Sequence, residues 1–449
     1  MSVTDLPEEL WQLVFEQMTV DAKTWDTYQH RPHIATLRAC LHASKMFNRL
    51  AEPALYHTID LRMIGLSNGL KLLSTITKKG RLGLLIRCVR TSEHRMSDVP
   101  DTKLASKEAL NLIRGVVEKR IEVSSGRPPR SQIAATDYGP RSPTIIVAAL
   151  LNLCPHLEVL DAHTEICRWA LLGKLYTPSS RLRYVAAKLS DGVGLEAAEL
   201  VNLLGLPSLR SLRVDRGTAI TISPAVDIRS NLKCLYLNHA CIRAQSLANL
   251  LKICTQLSTL WINIYHYSEE NSDSLVGEIV RVVQLHGKQL SELAVVANWW
   301  HVYGNSWMQI QPFDDTCSTR SLALPAGVFV PNTLTDDDSD YADPTFAVLP
   351  FSALLPLSLE ELGITYEQHA DEDCFARDDA MIVALLRSAA HTKLCTVTIR
   401  RPQPFKRMDE LPDWQQTSMS SIDTIDFPRS YIWNELKRIA PPLLAQTRP

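Results

Sequence analysis

The sequence predicts an α/β chain: a solenoid of strand–helix repeats with a curved parallel sheet, preceded by a small all-helical domain. Three observations carry that expectation. A short apolar phrase recurs along most of the chain, helical periods fill the intervals between its copies, and the residues before 56 read as helices alone. At 449 residues the chain is also too long for one ordinary core, which favours several units or a repeat array.

The first element is TDLPEELWQLVFEQM, residues 4–18. Pro7 suits a first helical position, where the N–H would be unpaired anyway. Glu8 and Glu9 favour the same end electrostatically. Leu6, Leu10, Val14 and Met18 recur every four residues, with Trp11 and Phe15 one step round, so the apolar surface is broad and needs a partner. A second helical segment spans 34–56, with Leu37, Leu41, Phe47 and Leu50 on its buried side and Cys40 and Ser44 alongside. Pro53 is expected to interrupt it and begin a short turn. Residues 19–33 read as the loop between the two helices, and YHTIDL (56–61) ends in the alternation of a strand.

The recurring phrase is LEVL at 157, LRYVAA at 182, LRSLRV at 209, LKCLYL at 232, LSTLWI at 257, LSELAV at 290, LEELGI at 359 and LCTVTI at 394. Apolar residues stand at relative positions 1 and 4 and nearly always at 6. Spacings among the first six copies are 25, 27, 23, 25 and 33 residues. This is the leucine-rich-repeat pattern, one short strand and one helix per unit. Segments 196–206, 245–254 and 273–285 supply the helices, with Gly205 and Gly287 as stop signals. Each unit buries its inner side against its neighbours. Leu209, Leu212, Leu232, Leu235, Leu257 and Leu260 are therefore expected inside. Arg210, Arg213, Lys233, Tyr236, Ser258 and Trp261 are expected on the exposed concave face, with lateral packing between strands as the alternative for Tyr236 and Trp261. STRSLALP (318–325) is a candidate degenerate copy.

The expected organisation is thus a helical domain over 1–55, an irregular solenoid over 56–407 with insertions near 91–143 and 298–350, and a C-terminal cap over 408–449. In the cap a helical stretch is expected near 431–438, ended by Pro441 and Pro442.

Residues 4–61 resemble an F-box, and the whole chain resembles the fungal-type F-box proteins with leucine-rich repeats. The matching residues are Leu6, Pro7, Glu8, Leu10, Leu13 and Phe15. A second group is Leu37, Arg38, Cys40, Ser44, Lys45, Phe47, Leu50 and Ala51, and a third is Pro53 to Tyr56 leading into Ile59, Asp60 and Leu61. The interval between the two helices is longer than is usual there, and His42-Ala43 stands where Val and Cys are commoner. The resemblance implies a non-catalytic substrate adaptor of a cullin-type ubiquitin ligase. Leu6, Pro7, Glu8, Leu10, Leu37, Cys40, Lys45 and Phe47 would dock the ligase's small linker subunit, and the repeats would bind a protein substrate. The alternatives are that this domain only caps the repeats, and that the chain is a stand-alone leucine-rich-repeat scaffold without a ubiquitin role.

Composition and motifs bear on the remaining classes. Apolar residues make up 45% and charged residues 21%, with net charge −2, which lacks the basic footprint of a nucleic-acid binder. The 10 Cys are scattered without a CxxC pair, as expected of free thiols in a reducing compartment. No run approaches the roughly 18 apolar residues of a membrane span. The first twenty residues hold four acids and no Lys or Arg, unlike a leader peptide. Cytoplasm or nucleus is the expected compartment. HExxH, GxxxxGK[ST] and GxSxG are absent from the sequence, and neither catalysis, a cofactor nor a metal is expected. Cys154, His156, His163 and Cys167, and separately His391 and Cys395, read as packing residues before metal ligands. The acidic run 335–344 lacks the Gly and Glu of a calcium loop and reads as solvated surface, as does the basic run 399–407. NWWHVYGNSWMQIQPF (298–313) supplies Trp299, Trp300 and Trp307, which join Arg210, Arg213, Tyr236 and Trp261 as a candidate substrate face. A lid over the solenoid end is the alternative for that loop.

Overall fold

A computed structural model describes residues 6–18, 31–91, 107–112, 114–115, 149–163, 181–188, 197–215, 220, 222–223, 228–239, 242–264, 273–297, 310–314, 317–329, 350–366, 372–388, 393–401, 403–422 and 430–438. It is a mixed α/β fold, a multi-strand sheet with several helices in a strand–helix repeat. The chain forms two compact units, one of residues 1–190 with 198–213 and one of residues 191–197 with 214–449.

The first unit begins with three helices, α1 (Glu8–Gln17), α2 (Arg31–Ala43) and α3 (Lys45–His57). Pro7 lies one position outside α1, and its carbonyl accepts from the N–H groups of Leu10 and Trp11 at 3.1 and 3.3 Å. The break between α2 and α3 falls at Ser44, not at Pro53. Ser44 is extended, and its hydroxyl accepts from the Phe47 N–H at 3.1 Å, capping the new helix. Pro53 forfeits one backbone bond but stands exposed in α3, while Ala51 and Ala54 are buried on the opposite side. Phe15, Leu37, Ala51 and Ala54 form the core here, packed by Trp11, Met18, Cys40, Leu41, Phe47, Leu50 and Leu55.

Strand β1 (Thr58–Asp60) follows directly, then α4 (Leu61–Lys78), a helix absent from the sequence reading, and a 3-10 turn over Gly80–Leu84. Strands β2 (Cys88–Arg90), β3 (Val159–His163) and β4 (Tyr184–Lys188) continue the unit, and α5 (Ala197–Leu204) ends at Gly205. Strands β1 to β4 pair consecutively and in parallel, which requires a crossover between each pair. Ile59, Val89, Leu160 and Val185 stand in one buried register row. The next strand is β5 (Ser211–Asp215).

The second unit holds β6 (Cys234–Asn238), α6 (Ala244–Ile253), β7 (Thr259–Ile264), α7 (Asp273–His286), β8 (Glu292–Ala297) and β9 (Ser321–Pro325). Then come the short α8 (Phe351–Leu354), β10 (Glu361–Thr365), α9 (Glu372–Arg387), β11 (Thr396–Arg401), β12 (Trp414–Ile422) and β13 (Ser430–Arg438). Strands β6 to β11 are parallel neighbours in sequence order. Leu235, Leu260, Leu293, Leu322, Leu362 and Val397 form one buried row across them. The expected interior residues Leu209, Leu212, Leu232, Leu235, Leu257 and Leu260 are all fully buried. The phrase at 318–325 is a true copy, strand β9. Thr319 takes the first apolar position, buried, and its hydroxyl is satisfied by the Leu290 carbonyl at 3.2 Å. Helix α6 is tied inward by Asn249, whose amide donates to the Ile222 carbonyl at 2.9 Å.

Residues 430–438 correct the expectation of a helix. They form strand β13, antiparallel to both β11 and β12. Leu436 is buried opposite Val397, while Glu435 and Lys437 pair on the other side at 2.9 Å. An available strand edge on β11 overrides the helical spacing of Ile432, Trp433 and Leu436.

Candidate protein-docking surfaces

Two surfaces present side chains without an evident use in the fold. The first is helix α1. Trp11, Phe15 and Met18 face the core, where Trp11 and Phe47 meet edge-on at 4.9 Å and Phe15 and Phe47 at 5.9 Å. Its other side leaves Leu10, Leu13 and Val14 exposed at 46%, 54% and 45%, and Leu6, in the segment just before the helix, is exposed at 43%. Spacings of three and four bring Leu10, Leu13 and Val14 together on the helix surface. Exposed apolar side chains grouped in this way make α1 a candidate interaction surface. Glu8 is tied to Arg49 of α3 at 2.5 Å, which anchors the helix start.

The residues expected to dock a linker divide between surface and core. Leu6, Pro7, Glu8, Leu10 and Lys45 are exposed, and Cys40 is half-buried. Leu37 is a correction: it is buried at 2% in the α1–α3 core and has no surface to offer. Phe47 is half-buried, and its ring packs against Trp11 and Phe15. Leu13 and Val14 were absent from the expected docking set. Their signal was the helical wheel itself, because neither shares a side with Phe15.

The second surface is the outward row of the sheet in the second unit. Along β7, Leu260, Ile262 and Ile264 are buried and Trp261 is 43% exposed, as strand alternation requires. Trp261 stands in register with Tyr236 on one side and Ala294 on the other. Tyr236 is half-buried on the same outward side of the sheet. Arg210 and Arg213 belong to the first unit, where Arg210 is exposed and donates to the carbonyls of Pro207 and Leu209. Trp299, Trp300 and Trp307 lie outside the described residues, as does the acidic run 335–344. From the end of the aromatic loop, Ile310 and Phe313 are buried.

The basic run at 399–407 also needs correction. Arg401 is not solvated surface. It is 1% exposed and donates to both carboxylate oxygens of Asp379 at 2.6 and 3.1 Å. Its remaining donors reach the carbonyls of Gln403 and Pro404, and the rings of Tyr366 and Phe405 lie 5.8 Å from its guanidinium carbon. In the first unit Asp60, Arg90 and Asp161 are likewise buried in one register row across β1, β2 and β3.

Among the described residues no three His, Cys, Asp or Glu side chains group as metal ligands, and no helix is long and apolar enough to cross a membrane. Cys154 is buried, and His156 contacts Arg181 at 3.4 Å. Cys395 is exposed beside the Glu360 carbonyl, while Cys167 and His391 fall outside the described residues. No protein-family model matches the chain, and no curated protein matches its sequence.

Proposed function

We propose that the chain is a non-catalytic substrate-recognition adaptor of a cullin-type ubiquitin ligase. Residues 1–55 act as an F-box that docks the linker subunit, and the strand–helix units act as leucine-rich repeats that bind a protein substrate. The observation that carries this reading is the two-sided helix α1. One side fills the α1–α3 core, and the other leaves Leu10, Leu13 and Val14 exposed, with Leu6 exposed just before the helix. A helix that served only to close the repeats would have no use for the second side. Each of these side chains is already about half covered, so covering the rest is worth roughly half of the 1.5–3 kcal/mol of a full burial, a gain that association costs partly offset. The sequence resemblance supports the same assignment through Leu6, Pro7, Glu8 and Leu10. The repeated phrase with its buried leucine rows supports the repeat assignment.

The test is a pull-down with purified linker subunit. Replacing Leu6 and Leu10 together by Asp puts charge into the apolar contact. Capture is expected to be lost while the circular dichroism spectrum is unchanged, because both side chains are already exposed. Equal capture by the variant and the parent chain would refute docking through α1. Absence of capture by the parent would favour the stand-alone scaffold.

A further inference from the structure

The outward side of the second unit's sheet places one exposed carboxylate near one exposed aromatic ring. Trp261 of β7 is 43% exposed. Its register partner on β8 is Ala294, followed in the row by Ala323 of β9, so the neighbours on that side are small and half-exposed. Two residues before Ala294 stands Glu292, exposed, on the same side of the strand. Its carboxylate accepts from the Thr259 hydroxyl at 3.0 Å, which draws the charge toward β7, the strand that carries Trp261. Two residues beyond Trp261 stands Asn263. It is half-buried on the same outward side of the strand, with its Oδ1 covered, so the accessible acceptor beside Trp261 is Glu292.

We infer that this patch captures the basic side chain of an arginine or lysine presented by a protein. An exposed carboxylate and the negative face of an indole share one chemistry: each attracts a cationic donor. A guanidinium laid over Ala294 stacks on Trp261 and donates to Glu292, and such charge-assisted bonds are stronger than neutral ones. The small floor matters as much as the acceptor, because a larger side chain at 294 would fill the place of the incoming cation. The inference rests on the adaptor reading for the role of this face, and it names the feature by which a substrate is chosen.

The experiment uses the full chain, fluorescently labelled, on arrayed decapeptides of Gly, Ser and Ala. Each peptide carries a central Arg, Lys, citrulline or Glu. Retention on Arg and Lys peptides is expected to exceed that on citrulline, a neutral isostere, by about tenfold. Trp261→Ala and Ala294→Leu are expected to abolish the preference by removing the ring and by filling the floor. Glu292→Gln is expected to weaken the preference and to flatten its salt dependence. Equal retention on citrulline, no retention on any peptide, or an Arg preference that survives Trp261→Ala and Ala294→Leu would overturn the inference. Linker capture by the same three variants is expected to match the parent. An Arg preference in a chain that captures no linker would refute the adaptor reading and leave the patch standing. The reverse result would refute the patch alone.

Discussion

Arg401 shows how one residue can look like surface and behave as core. In TVTIRR the inward positions are Val397, Ile399 and Arg401, so strand alternation alone turns this arginine inside. The run of basic residues around it obscured that signal. Once buried, its charge must be matched, and Asp379 of α9 matches it with two hydrogen bonds, adding a third contact to the Lys406 N–H. Asp379→Ala is expected to destabilise the chain by about 3–5 kcal/mol in urea denaturation, since it strands a buried cation. The double change Arg401→Met with Asp379→Leu is expected to cost clearly less, because it leaves no unpaired charge. Thiols follow the same rule of burial. It pushes Cys154 and Cys254 up to about 12 and Cys88 up to about 11, the latter against a partial opposing pull from Arg90. A raised pKa leaves little thiolate at pH 8. Alkylation by iodoacetamide at that pH is expected to modify the exposed Cys395 well before these three, as peptide mass mapping over time will show.

At the scale of elements, local chemistry sets boundaries where it acts on the backbone and tertiary pairing overrides it elsewhere. Ser44 divides α2 from α3 because its hydroxyl offers the Phe47 N–H a partner at the helix start. The same turn fixes Phe47 against Trp11 and Phe15. Ser44→Ala is expected to cost about 1 kcal/mol in thermal or chemical unfolding, the usual value of a lost N-cap. Helices α6 and α7 and the strands of the repeated phrase were legible in the sequence because their apolar periods are local. Strand β13 was not. Within 430–438 the apolar residues satisfy a helical spacing and an alternating one about equally, and the choice is made by β11 and β12, which no local window contains. Pro53 misled for a related reason: its penalty is real, but a helix held by buried alanines on its other side absorbs it. For the docking helix, the composition revealed that α1 was too apolar for one partner. Which of Leu6, Leu10, Leu13, Leu37 and Phe47 faced outward depended on the placement of α2 and α3.

Across the second unit the leucine rows make a specific claim about how stability is distributed. In a strand–helix repeat each unit touches its neighbours and little else, so energetic coupling should fall away with strand separation. Leu235 and Leu260 are register partners on adjacent strands, at roughly 4.8 Å strand spacing. Leu235 and Leu362 share the row but are separated by β7, β8 and β9, which places them four steps and roughly 19 Å apart. All three are fully or almost fully buried, so each change to Ala is expected to cost about 2–5 kcal/mol. The informative quantity is the double-mutant cycle. Leu235→Ala with Leu260→Ala should depart from additivity by more than about 0.5 kcal/mol, because the two cavities share walls and relax together. Leu235→Ala with Leu362→Ala should add within about 0.5 kcal/mol, since three strands separate the two sites. Guanidinium titrations of the three single and two double variants measure both cycles. Strong coupling at four steps would mean that the rows belong to one shared core, and absence of coupling between adjacent strands would mean that the register is wrong.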